Sequence, residues 1–294
     1  MNDSALAAAP SATDRHAALK TIAAQAGRGE LTFPTSVDIA LRVQLALDDP
    51  DCSLDQAARL IQAEPLLSAR VVAMANSAVY NRPGRSVADV KSAVQRLGFR
   101  TVRSLAAAVI TRQMAGKPAI PEHRGVAAKL WEHSAHMAAL AHVIARRVTR
   151  QDPETAMFAG IVHDIGGFYL LSRAKDFPAL LDVALTDWLI EGGDEAELQI
   201  GRAVLKALAV PAQAVEGIEA LWGGFLQYPP SSLGDTLLLA EHLTPVRSPL
   251  HHPSAGVADG DRSDIDVAIG DETLREILAE SAGEVRSLTE ALRF

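Results

Sequence analysis

Apolar residues recur along this chain at intervals of three and four, the spacing that places side chains on one face of a helix. Leu54, Ala57, Leu60 and Ile61 form the first clear stripe. Ser53-Leu54-Asp55-Gln56 ahead of it has the form of a capping box, a hydroxyl at the cap and an amide three residues on. Glu64-Pro65 predicts a second start, with Pro65 in the first turn and Leu66, Leu67, Val71, Val72 and Met74 following. Asn81-Arg82-Pro83-Gly84 reads as a turn. Ser86 is the expected cap of a helix carrying Val90, Ala93, Val94 and Leu97, with Gly98 at its end. A helix over about 101–114, a break from Lys117-Pro118 to Pro121, and a long helix over about 122–150 come next. Asp152-Pro153-Glu154 predicts another capped start, running into Val162-His163-Asp164. Further helices are expected over about 178–191, 194–208, 211–221 and 231–244. No stretch alternates long enough to demand a sheet, so the predicted class is all-α.

Two regions depart from this pattern. Residues 1–14 are small and Ala/Ser/Pro-rich, and are expected to be a frayed, flexible terminus. After Leu243 the periodicity fades, and 246–270 is expected to be a flexible linker. A helical pattern returns over 271–294 through Leu274, Ile277, Leu278, Val285, Leu288 and Leu292. That segment is expected to pack back on the body, with pairing to a partner as the alternative.

Composition narrows the functional classes. A chain of 294 residues, 48% hydrophobic and 22% charged, suits one large helical domain or two small ones with a real core. Its net charge of −8 argues against non-specific nucleic-acid binding. Locally, residues 91–130 hold eight Lys/Arg against one Glu, and 151–200 hold ten Asp/Glu against two Lys/Arg. Lys91, Arg96, Arg100 and Arg103 therefore form a candidate basic interaction face, for another protein or for phosphate groups. Cys52 is the single cysteine, which fits a reducing compartment. With no signal-peptide pattern at the N-terminus and no apolar run near the roughly 18 residues of a membrane span, a cytoplasmic location without membrane contact is expected.

The sharpest chemical feature is Ile161-Val162-His163-Asp164-Ile165-Gly166. A neutral imidazole beside a carboxylate can ligate a divalent metal, and a metal held there can activate water. A structural His-Asp pair at a helix end is the plainer alternative. His133 shares a stripe with Leu130, Met137, Leu140, Ala141 and Ile144, so it points toward the core as a hydrogen-bonded residue or a ligand. His136 and His142 are expected on the surface, and His251-His252 falls in the linker without an obvious third donor. No phosphate-binding glycine loop, nucleophile elbow or Cys-His pairing is present to suggest other chemistry.

An ordered series of motifs resembles the HDOD family, a branch of the HD superfamily. Leu31-Thr32-Phe33-Pro34 opens it, and Ala63-Glu64-Pro65-Leu66 leads into Ala75-Asn76-Ser77-Ala78. Ser92-Ala93-Val94-Gln95-Arg96-Leu97-Gly98, Trp131-Glu132-His133-Ser134 and Gly160-Ile161-Val162-His163-Asp164-Ile165-Gly166 complete it. The likeness covers roughly Leu31 to Leu243. It implies an all-α domain over 15–245, with an N-terminal helical part (about 15–120) on an HD-like part (about 121–245). It also implies a regulatory role in bacterial signalling, through contacts with other signalling proteins in second-messenger, motility or stress pathways.

Against the HD hydrolase pattern, His133, His163 and Asp164 match the first three metal positions, and Glu241 stands where a last Asp is expected. The later histidines are missing, with Glu197 and Leu221-Trp222 in their regions, and Gly167 replaces a Lys. Four donors could hold one divalent metal, but a two-metal site is under-supplied. The resemblance therefore favours a non-enzymatic regulatory module. A phosphohydrolase or phosphodiesterase of reduced ligand set, and a nucleotide or nucleic-acid sensor, are the alternatives. Asn76-Ser77 either closes a helix end or organises a partner-facing groove.

Overall fold

The computed structural model describes residues 12–34, 37–81, 84–115, 121–180, 193–249, 268–269 and 272–293. The protein is all-α. In chain order the helices are α1 (Ala12–Gly27), α2 (Asp38–Leu47), α3 (Leu54–Gln62), α4 (Pro65–Ala75), α5 (Val90–Met114) and α6 (Pro121–Ile144). There follow α7 (Pro153–Val162), α8 (Ile165–Arg173), α9 (Gly193–Ala207), α10 (Ala212–Gly223), α11 (Leu233–Leu243), α12 (Leu274–Glu280) and α13 (Ala282–Leu292). A two-residue antiparallel ladder, Ala268–Ile269 with Glu272–Thr273, precedes α12.

Caps explain most of the boundaries. Ser53 accepts the Gln56 N–H at 3.2 Å, Glu64 accepts from Leu67, and Asp152 accepts from Thr155 at 2.8 Å. Each oxygen satisfies a first-turn donor that has no partner inside the helix. The start of α5 differs from expectation, because its cap is Asp89, bonded to the Ser92 N–H, and not Ser86. Asn76 causes the delay. Its side-chain amide donates to the Val87 carbonyl at 2.8 Å and accepts the Val87 N–H at 2.9 Å, holding that residue out of the helix.

Gly98 breaks α5 into two straight pieces, with φ of 77°. A Cβ there would meet nothing within 4 Å, so glycine is needed for the backbone angle and not for space. The long helix expected to reach Arg150 ends at Ile144, passes through a π-turn over Ala145–Thr149, and stops at a left-handed Arg150. The segment expected to be helical over 178–191 starts as a single 3₁₀ turn, Pro178–Leu180, and the rest lies outside the described residues. The same is true of 1–11, His251-His252 and the linker from 250 to 267.

Two packing relations position the site. Helix α5 is the spine, with α2, α3 and α4 on one side and α7 and α8 on the other. Helices α6 and α7 lie against each other so closely that a Cβ on Gly160 would come within 2.7 Å of the Ala138 Cα. Gly166 likewise lets α8 approach Gly201 of α9, where an added Cβ would sit 3.1 Å from the Gly201 Cα. The core between these helices includes Leu105, Val109, Leu130, Met137, Ile161, Phe168 and Tyr169. Helix α1 packs on α9, with Arg15 paired to Glu197 at 2.7 Å.

The C-terminal segment is two helices instead of one, broken at Ser281 and started by a Thr273/Glu276 capping box. It docks in cis. α13 packs on α6 and α4, with Leu288 and Leu292 buried. Ser287 Oγ accepts the Ala78 N–H at 2.9 Å, and Arg70 donates to the Ala291 carbonyl. No helix among the described residues is long and apolar enough to cross a membrane.

Candidate metal centre

Helices α6, α7 and α11 deliver three donors to one point. His133 lies mid-way along α6, His163 follows the last residue of α7, and Glu241 lies on the last turn of α11. Their Nε2, Nε2 and carboxylate oxygen atoms all fall within 4.8 Å of one another. His133 Nε2 is 3.1 Å from His163 Nε2 and 3.1 Å from Glu241 Oε2. Asp164 stands beside them, its Oδ2 3.5 Å from His163 Nε2 and 3.9 Å from His133 Nε2. The two histidines and Asp164 are 0%, 3% and 6% exposed, and only the Glu241 side chain keeps contact with solvent.

The protonation of this cluster follows from its hydrogen bonds. His133 Nδ1 is 2.7 Å from the Val246 carbonyl, and His163 Nδ1 is 2.8 Å from the Gly160 carbonyl. A carbonyl can only accept, so both rings carry their proton on Nδ1 and turn Nε2 toward each other. Two lone pairs cannot face one another at 3.1 Å without a cation or a proton between them. In the metal-free protein the proton sits on His133. Burial opposes that charge, but the hydrogen bond and charge of Glu241, then Asp164 and the Val246 carbonyl, push its pKa up to about 9. His163 moves down, because burial outweighs the nearby carboxylates.

The same geometry suits a metal. Arms of about 2.1 Å give donor–donor edges of about 3.0 Å in an octahedron and about 3.4 Å in a tetrahedron. The separations of 3.1, 3.1 and 3.5 Å lie close to those edges, and the 3.9 Å one is wider. Backbone carbonyls that hold the far side of each imidazole are the usual second layer of a metal site.

One part of the site lay outside sequence reasoning. The chain leaving α11 crosses the cluster, and Ser248 donates to Asp164 Oδ2 at 3.0 Å while Val246 caps His133. Residues 246–248 fall in the segment expected to be a flexible linker, but Ser248 is buried and both contacts are specific. No sequence periodicity signals this, because an extended strap has none.

Other expectations are corrected here. His142 is buried, not exposed; its Nε2 is 3.6 Å from Glu154, which also accepts from Tyr80 and Thr101 at 2.6 and 2.8 Å. His136 is half-buried. The residues of the basic face each have a partner within the molecule. Lys91 pairs with Asp55, Arg100 with Asp152, and Arg103 with Asp48 while stacking on Phe158. Arg96 donates to the Ala75 and Arg85 carbonyls and to Asn81. The Asn76-Ser77 turn is covered by α13, so the occupant of that groove is this chain's own C-terminus. Trp131 packs edge-on to Phe168, and Trp222 lies over Gly201. Cys52 is buried, and burial followed by Asp49 pushes its thiol up, away from nucleophile chemistry.

A helical body with a paired His and His-Asp cluster between its central helices is the architecture of the HD superfamily branch that the motifs resemble. The HDOD domain model matches residues 33–220, well over half of the chain, and the chain belongs to the HDOD family. Among solved structures it is similar to a "Putative metal-dependent phosphohydrolase" from Shewanella amazonensis SB2B, at 24% identity and a TM-score of 0.68, covering 95% of this chain and 99% of that one. It is similar to an HDOD domain protein with unknown function from Geobacter sulfurreducens, at 20% identity and a TM-score of 0.59, covering 94% and 98%. A "Putative signal transduction protein" from Marinobacter aquaeolei VT8 matches at 20% identity and a TM-score of 0.56, covering 97% of this chain and 66% of that one. At these identities the likeness is one of fold. No curated protein sequence matches significantly.

Proposed function

We propose that this chain is a regulatory HDOD module of a bacterial signalling pathway, acting through contacts with other proteins and turning over no substrate. The observation that carries this reading is the closure of the donor cluster. The His133 and His163 rings are buried, and the Ser248 hydroxyl holds the Asp164 oxygen that faces them, while the Val246 carbonyl fixes His133 from its far side. A phosphate ester needs open coordination positions beside the donors. A buried polar cluster with its hydrogen bonds satisfied instead fixes how helices meet. The fold likeness to the Marinobacter signal transduction protein agrees with this reading.

The test is substitution of the cluster. His163→Ala and Asp164→Asn are expected to lower the unfolding free energy while hydrolysis of phosphate monoesters, diesters and cyclic dinucleotides stays at the no-enzyme rate throughout. Metal-dependent turnover by the wild-type protein, abolished by those changes, would refute the proposal.

The donor spacing favours a second reading, a phosphohydrolase of reduced ligand set, which is also the assignment that the Shewanella protein's name carries. His133, His163 and Glu241, with Asp164 alongside, would hold one divalent ion. That ion would supply Lewis-acid activation of water. The elemental content of protein purified without chelator separates the two. A stoichiometry near zero supports the module reading. About one metal per chain, lost in His163→Ala, moves the weight to the second.

A further inference from the structure

We infer that residues 244–248 are a gate beside the donor cluster, and that the Ser248–Asp164 hydrogen bond is the latch that a divalent cation arriving at Glu241 must open to settle between His133 and His163. The inference rests on the cluster being metal-competent, and is independent of whether any substrate is turned over.

Three observations carry it. The strap touches the cluster twice, with the half-buried Val246 on His133 Nδ1 at 2.7 Å, behind the donor nitrogen, and the buried Ser248 on Asp164 Oδ2 at 3.0 Å. The oxygen that Ser248 holds is the one facing the two imidazole Nε2 atoms. Turning it onto a cation means competing with a hydroxyl donor for the same lone pairs. Thr244 Oγ bonds the Val246 carbonyl at 3.2 Å, tying the strap to the end of α11, the helix that carries Glu241.

The strap also has room to move. Pro245 of the strap, with Leu243 at the end of α11, borders a cleft of about 370 Å³ beside α6 and α13, with Leu140 and Val285 opposite. Glu241 sits at the partly exposed mouth of the cluster, where an arriving cation would meet it first.

A latch and a ligand support make opposite predictions for Ser248. If its hydroxyl merely orients a metal-bearing Asp164, removing it weakens metal binding. If it is a latch, removing it speeds uptake. The full chain is stripped with chelator and mixed with Co²⁺ alone, and the visible absorption of the bound ion is followed in stopped flow. Ser248→Ala is expected to take up Co²⁺ on the order of tenfold faster than wild type, the scale of losing one hydrogen bond to a charged acceptor. Its affinity is expected to be equal or higher. Ser248→Thr, which keeps a hydroxyl, retains the wild-type rate. Thr244→Ala loosens the strap without touching Asp164, and gives an intermediate rate even if Ser248→Ala fails to fold. Hydrogen exchange of a peptide spanning 244–249 is expected to rise in the same order.

Equal uptake rates in all variants, or slower and weaker uptake in Ser248→Ala, would overturn the gate. Absence of Co²⁺ binding in every form would overturn both the gate and the metal-competent reading, and leave the regulatory proposal standing.

Discussion

At the scale of single residues, the defining relation is between two imidazoles that each give Nδ1–H to a backbone carbonyl and share one proton across a 3.1 Å gap. This sets a pH signature for the metal-free protein. The folded pKa of His133 is raised from 6.5 to about 9, so its stabilisation is full below pH 6.5 and is lost as pH rises through 9. His163 is shifted down, so its neutral form opposes protonation as pH falls below 6.5. The cluster's contribution therefore peaks near pH 6.5. Urea denaturation of chelator-treated protein from pH 5 to 10 is expected to show wild type exceeding Glu241→Gln fully below about pH 6.5, the gap closing as pH rises through about 9. A gap that does not change with pH would place the proton elsewhere. His133 on its apolar stripe and His163 in the His-Asp pair were legible as candidates from local pattern. His142 was not read correctly, because its burial depends on Glu154, twelve residues away on another helix.

Elements come next, and here two glycines separate two physical causes. At Gly98 a Cβ meets nothing, but φ is 77°. Gly98→Ala is expected to cost about 1–3 kcal/mol from backbone strain alone, since φ of 77° with ψ of 162° is a region essentially reserved for glycine. At Gly160 the added methyl would meet the Ala138 backbone at 2.7 Å, and backbone cannot step aside as a flexible side chain would. Gly160→Ala is expected to cost about 3 kcal/mol, the upper end of ordinary overpacking. It should also move α7 and spread His163 from His133. Thermal denaturation measures both costs. The shift in the histidine ring resonances by NMR is expected for Gly160→Ala only. The helix spacing and the caps at Ser53, Glu64 and Asp152 were readable because they are local. The cap at Asp89 was not, because Asn76, eleven residues before Val87, decides where α5 can begin.

For the whole molecule the question is what holds the C-terminal pair against the body. Ion pairs ring it: Arg146 with Glu284, Arg147 with Glu280, and Arg293 with Glu132. All are partly exposed, and such pairs contribute about 0–1 kcal/mol each. Leu288 and Leu292 are fully buried, and truncating a buried leucine costs about 2–5 kcal/mol. Leu288→Ala is therefore expected to lower stability by about 3 kcal/mol and increase binding of a hydrophobic dye. Moving wild type from 0.05 to 0.5 M salt is expected to change its stability by under about 1 kcal/mol. The reverse ranking would show that charge, not burial, docks α13. In the free protein Lys91, Arg100 and Arg103 each pair with an acid of this chain and Arg96 donates to carbonyls, while the Lys91 and Arg100 side chains stay exposed.

By itself the sequence determined the helical class, most helix starts, the HDOD likeness and, through that likeness, the four candidate donors. Each is written in residues a few positions apart, and helix periodicity and capping act over that range. Tertiary structure alone decided that Glu241, 78 residues after His163, reaches the imidazoles at all. It alone decided that the charged arginines are paired, that α13 returns to cover the Asn76-Ser77 turn, and that Ser248 seals Asp164. Those relations join segments whose separation in sequence carries no periodic trace, and they exist only once α6, α7 and α11 have packed.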